Sequence, residues 1–180
     1  MTRTDRLLGS VAPRPGEVAA ALPGDELVPD PDVVMDRGFD LAVPPAVAWP
    51  WLVQLGKGRA GWYLPRRVER LLPRARRATR TVEARWQSLA VGDVIPDYGG
   101  PEATFEVADL EPGAHLVHRS ERGRTQVSWA IVLRPQDAGT RVHLRLRLGP
   151  VRHVRLARSV GGLFDALTLA GLAAGLRERV

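Results

Sequence analysis

The chain of 180 residues contains no cysteine, which excludes disulfide bonds and thiolate metal sites. Lys57 is its only lysine, so nearly all of its positive charge is carried by arginine. No apolar run is long enough for a membrane-spanning helix, which needs roughly 20 apolar residues. The best candidate, residues 161–176, also contains Asp165. The N-terminus lacks the continuous apolar core of a signal peptide. We therefore expect a soluble, cytoplasmic protein without a membrane span.

Motifs for metal, nucleotide or nucleophilic chemistry are absent or incomplete. His115 and His118 are three apart on a predicted strand, so their side chains point to opposite faces and cannot share a metal ion. No G-x-S-x-G motif surrounds any serine. The glycines of residues 56–61 match the G-x-G-x-x-G fingerprint of dinucleotide-binding turns, but Pro50 argues against a central strand before them, and no βαβ unit follows. We expect no cofactor and no metal, and no catalytic residue is assigned.

The excess positive charge lies in one segment. Residues 66–85 hold eight arginines and two glutamates, a net charge of +6, while the rest of the chain has 18 basic and 18 acidic residues. Such a segment can bind nucleic acid or an anionic membrane surface, or it can be a solvated helix and loop. The solvated interpretation is favoured because charge runs are usually of that kind, and no nucleic-acid partner is expected.

Hydrophobic periodicity predicts a single α+β domain over residues 32–180, preceded by an irregular, proline-rich lead-in of residues 1–31. The domain begins with a strand over residues 33–43. Two short helices follow, over residues 46–55 and 64–75.

The second half of the chain alternates with a period of two and is rich in turn residues, which is typical of an antiparallel sheet. The predicted strands cover residues 91–95, 103–110, 114–120, 125–133 and 141–149. The last strand has an apolar face of valine and leucine and a polar face formed by Arg141, His143, Arg145 and Arg147. A closing helix is predicted over residues 157–178, with an apolar face of Leu163, Phe164, Leu167, Ala170, Gly171 and Ala174.

Aromatic side chains are few but widely distributed over the predicted elements: Trp49, Trp51, Trp62, Tyr63, Trp86, Phe105, Trp129 and Phe164. For any single one of these residues, a place in the packed core is the simplest interpretation. As a set they suit a concave apolar pocket, in which a few polar groups fix the orientation of a ligand. Gln54, Tyr63 and His118 are the candidates for those polar groups.

Three stretches of the chain resemble a known superfamily: PPAVAWPWLVQLGKGRAGWY, WQSLAVGDVIPD and VSWAIVLRPQDAGTRVHLRLR. They are similar to the SRPBCC superfamily, which includes START, birch-pollen-allergen and polyketide-cyclase-like proteins, and more narrowly to a bacterial branch of it. The resemblance covers residues 24–178. It implies a helix-grip fold, in which a curved antiparallel sheet wraps around a long C-terminal helix and encloses an apolar cavity. The glycines of residues 56–61 then form a bend, since glycine takes positive φ without cost.

The resemblance also implies positions for the ligand-binding residues. Trp51, Gln54, Trp62 and Tyr63 would lie near the cavity mouth. Trp129 would line the sheet and Phe164 would close the cavity from the helix. Arg59 would either bind an anionic group of the ligand or brace its own loop. Phe105 and Tyr98 complete the candidate set together with His118.

The expected function is that of a binding or carrier protein for a hydrophobic small molecule such as a lipid, a polyketide or an aromatic metabolite. The alternative is a metal-free enzyme of cyclase or dehydratase type, with acid–base candidates Asp97, Tyr98, His115 and His118. A second alternative is binding to nucleic acid or a membrane surface through residues 66–85. The oligomeric state, monomer or dimer, stays open.

Overall fold

One antiparallel sheet of six strands dominates the fold. The structure, a computed structural model, describes residues 10–137 and 139–180. The strands are β1 (Val33–Leu41), β2 (Val94–Pro96), β3 (Thr104–Glu111), β4 (His115–Arg122), β5 (Thr125–Gln136) and β6 (Gly139–Gly149). They lie in the order β1-β6-β5-β4-β3-β2, with every neighbouring pair antiparallel. The predicted curved antiparallel sheet is therefore confirmed.

Four helices complete the described chain: α1 (Pro15–Ala19), α2 (Pro45–Val53), α3 (Arg66–Glu69) and α4 (Val154–Arg177). Pro45 opens α2, where a missing N–H costs nothing. Helix α4 packs against the concave face of the sheet and contains a π-helical segment, Ala157–Gly161. The sheet and α4 together confirm the predicted α+β, helix-grip architecture.

The prediction of a helix over residues 64–75 is wrong. Only the single turn of α3 forms, and a 3₁₀ turn at Arg74–Arg76 follows it. Pro73 lacks the N–H that a continuing helix would need, so the helix ends before it. Leu71, assigned to the apolar stripe of that helix, is 85% exposed.

The apolar face assigned to α4 is wrong for most of its members, although Ala170 is buried as predicted. Leu163, Phe164 and Leu167 are 49%, 71% and 45% exposed, respectively. The buried face comprises Ala166, Leu169, Ala170, Leu172, Ala173, Gly175 and Leu176. Because apolar residues surround almost the whole circumference of the helix, its periodicity does not define one face. The buried face is instead set by close packing: a Cβ on Gly175 would lie 2.6 Å from the backbone nitrogen of Leu64.

By length and composition alone, α4 could span a membrane. It has 24 residues, and the mean hydropathy of its most apolar window is 1.5. In the structure, however, its C-terminal half belongs to the main hydrophobic core, where Leu172 and Leu176 pack with Phe39, Ile131 and Leu144. The described residues thus form a soluble-type domain in which this helix is a core element.

The N-terminal segment covers the outer face of the sheet. Residues 10–31, predicted to be irregular, include α1 and a 3₁₀ turn at Asp25–Leu27. Their acidic side chains bind the polar face of β6: Glu17 contacts Arg141 at 2.7 Å, and Asp25 contacts Arg145 at 2.9 Å. As a result, the polar face of β6 is buried under this segment.

Candidate functional site

A cavity of about 550 Å³ lies between the concave face of the sheet and the N-terminal half of α4. Its floor consists of apolar side chains from the strands: Met35, Phe105, Val127, Trp129, Leu146 and Leu148. Its other wall consists of α4 residues: Ala157, Gly161, Phe164, Asp165, Thr168 and Leu169. The volume is within the range of small-molecule sites, roughly 300–1,000 Å³. We refer to this space as the sheet–helix cavity.

Trp129 is the centre of the aromatic part of the cavity. Its ring stacks against Trp62 at a centroid distance of 6.2 Å and lies 5.8 Å from Phe105. The ring of Trp129 also stacks with the imidazole of His118, at a centroid distance of 5.3 Å. Trp62 is held in place because its Nε1 donates to the carbonyl oxygen of Thr168 on α4, at 3.4 Å. Of the sequence-predicted site residues, the structure brings Trp62, Phe105, Trp129 and Phe164 together at the cavity.

His118 lies next to this aromatic group but does not line the cavity. Burial lowers the pKa of His118 to about 4, and the positive charge of Arg59 acts in the same direction, while a hydrogen bond with the Trp129 backbone opposes them. The imidazole is therefore neutral at pH 7. Its Nδ1 has no hydrogen-bond partner among the described residues.

The rim of the cavity near the β4–β5 turn is polar but internally paired. Asp97 and Arg122 both line the cavity and form an ion pair with each other. The guanidinium of Arg122 also lies 5.2 Å from the ring centre of Phe105. The charge of Arg122 is therefore already balanced within the protein.

Asp165 is the acidic group on the helix side of the cavity. Its Oδ2 lies 3.0 Å from Nε of Arg37, yet neither atom is aligned for a hydrogen bond with any described residue. Burial raises the pKa of Asp165 to about 6, against the lowering effect of Arg37. Sequence reasoning missed this residue as a site candidate. The available signal was a lone carboxylate in the otherwise apolar stretch 161–176.

Three predicted site residues lie in the packed core instead of lining the cavity: Trp51, Gln54 and Tyr63. The hydroxyl of Tyr63 donates to the carbonyl oxygen of Trp51 at 2.8 Å, and burial raises the pKa of this phenol. Gln54 accepts from the backbone N–H of Glu83 at 2.9 Å and donates to the carbonyl oxygen of Thr81 at 3.1 Å. These contacts attach α2 to the chain that follows it.

Arg59 and Tyr98 also lie away from the cavity lining. Arg59 donates to the carbonyl oxygens of Val53 and Trp86, at 3.2 and 2.8 Å, so its contacts brace the loop. Tyr98 is 57% exposed. No cluster of three or more metal-ligating side chains occurs in the described part of the chain.

The glycine-rich stretch after α2 is a tight bend, as the sequence predicts. Gly56, Gly58 and Gly61 have φ values of +138°, +73° and +87°, which favour glycine. Gly56 and Gly61 pair across the bend, and a Cβ on Gly61 would approach the backbone of Ala78 at 3.1 Å. The bend directs the chain to Trp62, which reaches the cavity.

Together, the sheet, α4 and the space between them define a helix-grip domain with an open, largely apolar cavity. No protein-family model and no curated protein sequence matches the chain. Among solved structures, it is similar to CalU16 from Micromonospora echinospora, with 15% identity and a TM-score of 0.51 over 82% of this chain and 76% of that one. It is also similar to a protein from Rhodobacter sphaeroides, with 16% identity and a TM-score of 0.50 over 82% and 91% of the two chains. These similarities support the fold.

Proposed function

We propose that this protein binds a hydrophobic small molecule in the sheet–helix cavity, as a cytoplasmic binding or carrier protein of the SRPBCC superfamily. The observation that carries the proposal is the cavity itself, with its apolar floor and the stacked rings of Trp62 and Trp129. Lipids, polyketides and aromatic metabolites are the ligand classes that such a lining accommodates. Burial of ~200 Å² of apolar ligand surface contributes about 5 kcal/mol before the cost of ordering is subtracted.

Two adjacent glycines of α4 allow a matched test of the cavity. Gly161 lines the cavity, and a Cβ there meets only the terminal methyl of Met35, at 3.5 Å. Gly162 has the same helical conformation, but a Cβ there meets nothing within 4 Å. Phenylalanine at position 161 therefore fills the cavity, whereas at position 162 it adds a similar side chain outside the lining.

The experiment measures binding of an apolar ligand library by the change in tryptophan fluorescence, to which Trp62 and Trp129 at the cavity contribute. Native mass spectrometry of the purified protein detects co-purified ligand. We expect the wild type and Gly162→Phe to bind the same compounds with dissociation constants within threefold of each other. Gly161→Phe should weaken binding at least tenfold. Absence of binding to every compound, or equal binding by all three proteins, would contradict the proposal.

The contacts give less support to an enzyme of cyclase or dehydratase type. His118 is buried beside Trp129 and does not line the cavity, and Tyr98 is exposed. His115 contacts Asp109 at 2.8 Å on the other side of the sheet. Asp97 does line the cavity but is paired with Arg122. Binding that is retained without any turnover of the bound compounds is the expected outcome.

Binding of nucleic acid or a membrane surface through residues 66–85 also has less support. Several of these arginines are used within the protein. Arg80 pairs with buried Glu69 at 2.7 Å, Arg77 donates to the carbonyl oxygens of Arg70 and Leu72, and Arg85 lies over the ring of Trp86. The remaining arginines are exposed, which agrees with a solvated surface segment.

A further inference from the structure

We infer that the ligand of the sheet–helix cavity is an elongated apolar molecule that carries a hydroxyl group, as an alcohol or a phenol, and that this hydroxyl binds Asp165. The inference rests on the proposed function and specifies the ligand class. Three observations support it: the positions of the polar groups in the cavity, the missing hydrogen bond at Asp165, and the signs of the charges around it.

The polar groups of the cavity lie at two separate places, with apolar surface between them. Asp165 faces Arg37 of β1, whose register partner on β6 is Leu144. Arg122 lies at the opposite end, where its register partner on β5 is Thr125. Leu144 pairs in turn with Ile131 of β5, so Trp129 lies between the two ends. It is four residues from Thr125 and therefore ~13 Å from it at about 3.3 Å per residue. A ligand that contacts Asp165 thus extends along an apolar, aromatic floor.

Of the two charged pairs, only Arg37 and Asp165 lack a hydrogen bond between their side chains. Arg37 directs its two terminal nitrogens elsewhere, to the carbonyl oxygens of Asp36 at 2.7 Å and Gly162 at 2.8 Å. Its Nε is close to Asp165 but not aligned with it. Oδ2 of Asp165 therefore has no hydrogen-bond donor among the described residues, although the side chain is 17% exposed. A largely buried carboxylate oxygen without a donor is costly, so a donor from a ligand is favourable there.

The neighbouring charges select a neutral donor. At Asp165, an ammonium group would be attracted by the carboxylate but repelled by Arg37, and a carboxylate group would be attracted by Arg37 but repelled by Asp165. The opposite charges largely offset each other, so a charged ligand group gains little and still loses its hydration. A hydroxyl avoids both penalties. The raised pKa of Asp165 is consistent with this choice, because a hydroxyl can bond to a carboxyl in either protonation state.

Ser159 provides a control for Asp165 on the same helix. It does not line the cavity, and its Oγ donates to the carbonyl oxygen of Arg155 at 2.9 Å. Removing its hydroxyl should therefore leave ligand selectivity unchanged.

The test compares three probes that share one elongated biphenyl body: biphenyl, 4-phenylphenol and biphenyl-4-carboxylate. Affinities are measured by tryptophan fluorescence and calorimetry. We expect the wild type and Ser159→Ala to bind 4-phenylphenol about tenfold tighter than either other probe. Asp165→Leu should bind 4-phenylphenol and biphenyl equally, with the biphenyl affinity within threefold of the wild type. An Arg37→Leu/Asp165→Leu double variant removes both charges together, and it replaces the single variant if unpaired Arg37 prevents folding.

The outcomes separate the inference from the proposed function. If the wild type binds members of the apolar library but none of the three probes, the inference is overturned and the proposed function stands. If it binds neither the library nor the probes, both fail. If it binds biphenyl and 4-phenylphenol equally, or prefers the carboxylate, the cavity binds apolar molecules but the inference is overturned. A preference for 4-phenylphenol that persists in Asp165→Leu or in the double variant also overturns it.

Discussion

Nε of Arg145 donates to Oδ1 of Asp36 at 2.8 Å, between two side chains that are 4% and 6% exposed. The same carboxylate oxygen lies 2.8 Å from Nε2 of His143, which is fully buried. Arg145 also donates to the carbonyl oxygens of Glu17 and Ala20 in the N-terminal segment. The sheet therefore has an apolar core on its concave face and a buried polar layer on its outer face, and the N-terminal segment closes that layer.

Glu17 should make stability depend on acid pH. Burial raises the pKa of Glu17, but hydrogen bonds from Arg141 and from the backbone N–H of Arg14, together with the charge of Arg141, outweigh it and lower the pKa to about 2. The stabilisation is complete above the unfolded value of 4.5 and is lost as the pH falls towards 2. We expect Glu17→Gln to lower the free energy of unfolding by about 2–3 kcal/mol at pH 6 and by little at pH 2.

Urea denaturation followed by circular dichroism between pH 2 and pH 7 measures this difference. Glu106→Gln is the control, because Glu106 pairs with Arg119 at 2.7 Å on the exposed outer surface. Exposed pairs contribute about 0–1 kcal/mol, so this variant should follow the wild type. A constant difference between Glu17→Gln and the wild type over the whole pH range would contradict the assignment.

Gly38 of β1 is required by the pair between Arg141 and Glu17. A Cβ on Gly38 would overlap the guanidinium of Arg141 and lie 2.9 Å from Oε2 of Glu17. We expect Gly38→Ala to lower the free energy of unfolding by about 2 kcal/mol, because it displaces a buried, hydrogen-bonded ion pair. Gly16→Ala is the matched control: a Cβ there meets nothing within 4 Å, and alanine suits the helix better than glycine.

Thermal and urea unfolding of the two alanine variants give the comparison. The Gly38→Ala substitution should also cost less in a Glu17→Gln background, since both changes act on the same pair. Equal stabilities of Gly38→Ala and Gly16→Ala would show that the outer polar layer tolerates the extra methyl group.

The sequence predicts where the strands lie, but it does not predict which elements pack against them. The alternation of residues 141–149 correctly predicts β6 and its two faces, because alternation depends only on neighbours along the chain. Burial of the polar face depends on Glu17 and Asp25, which lie more than a hundred residues away. For the same reason, the buried face of α4 follows from contact with Leu64 and not from its own apolar pattern.

The residues of the candidate site also divide into those that the sequence predicts and those that depend on distant contacts. Trp62, Phe105, Trp129 and Phe164 were identified as large rings on elements that the fold brings together, and they line the cavity. Trp51 and Tyr63 are equally aromatic, but the bend at Gly61 and the hydrogen bond between them place them in the core. Asp165 was missed because its importance comes from burial beside Arg37, which no local pattern reveals.

Asp165 should make stability change with pH in the direction opposite to Glu17. Burial raises the pKa of Asp165 from 3.8 to about 6, so the folded state binds more protons than the unfolded state between these values. The free energy of unfolding should therefore fall as the pH rises from about 4 to above 6, by about 2–3 kcal/mol for this group. In Asp165→Asn this loss of stability is absent, while Arg37 stays charged throughout and adds only a constant offset.

We expect the free energy of unfolding of Asp165→Asn, relative to the wild type, to increase from pH 4 to pH 8 in urea denaturation. Thr168→Val, one turn along the same wall, should show no such trend. A pH-independent difference for Asp165→Asn would mean that the carboxylate is ionised at low cost, and that the cavity is better hydrated than its lining indicates.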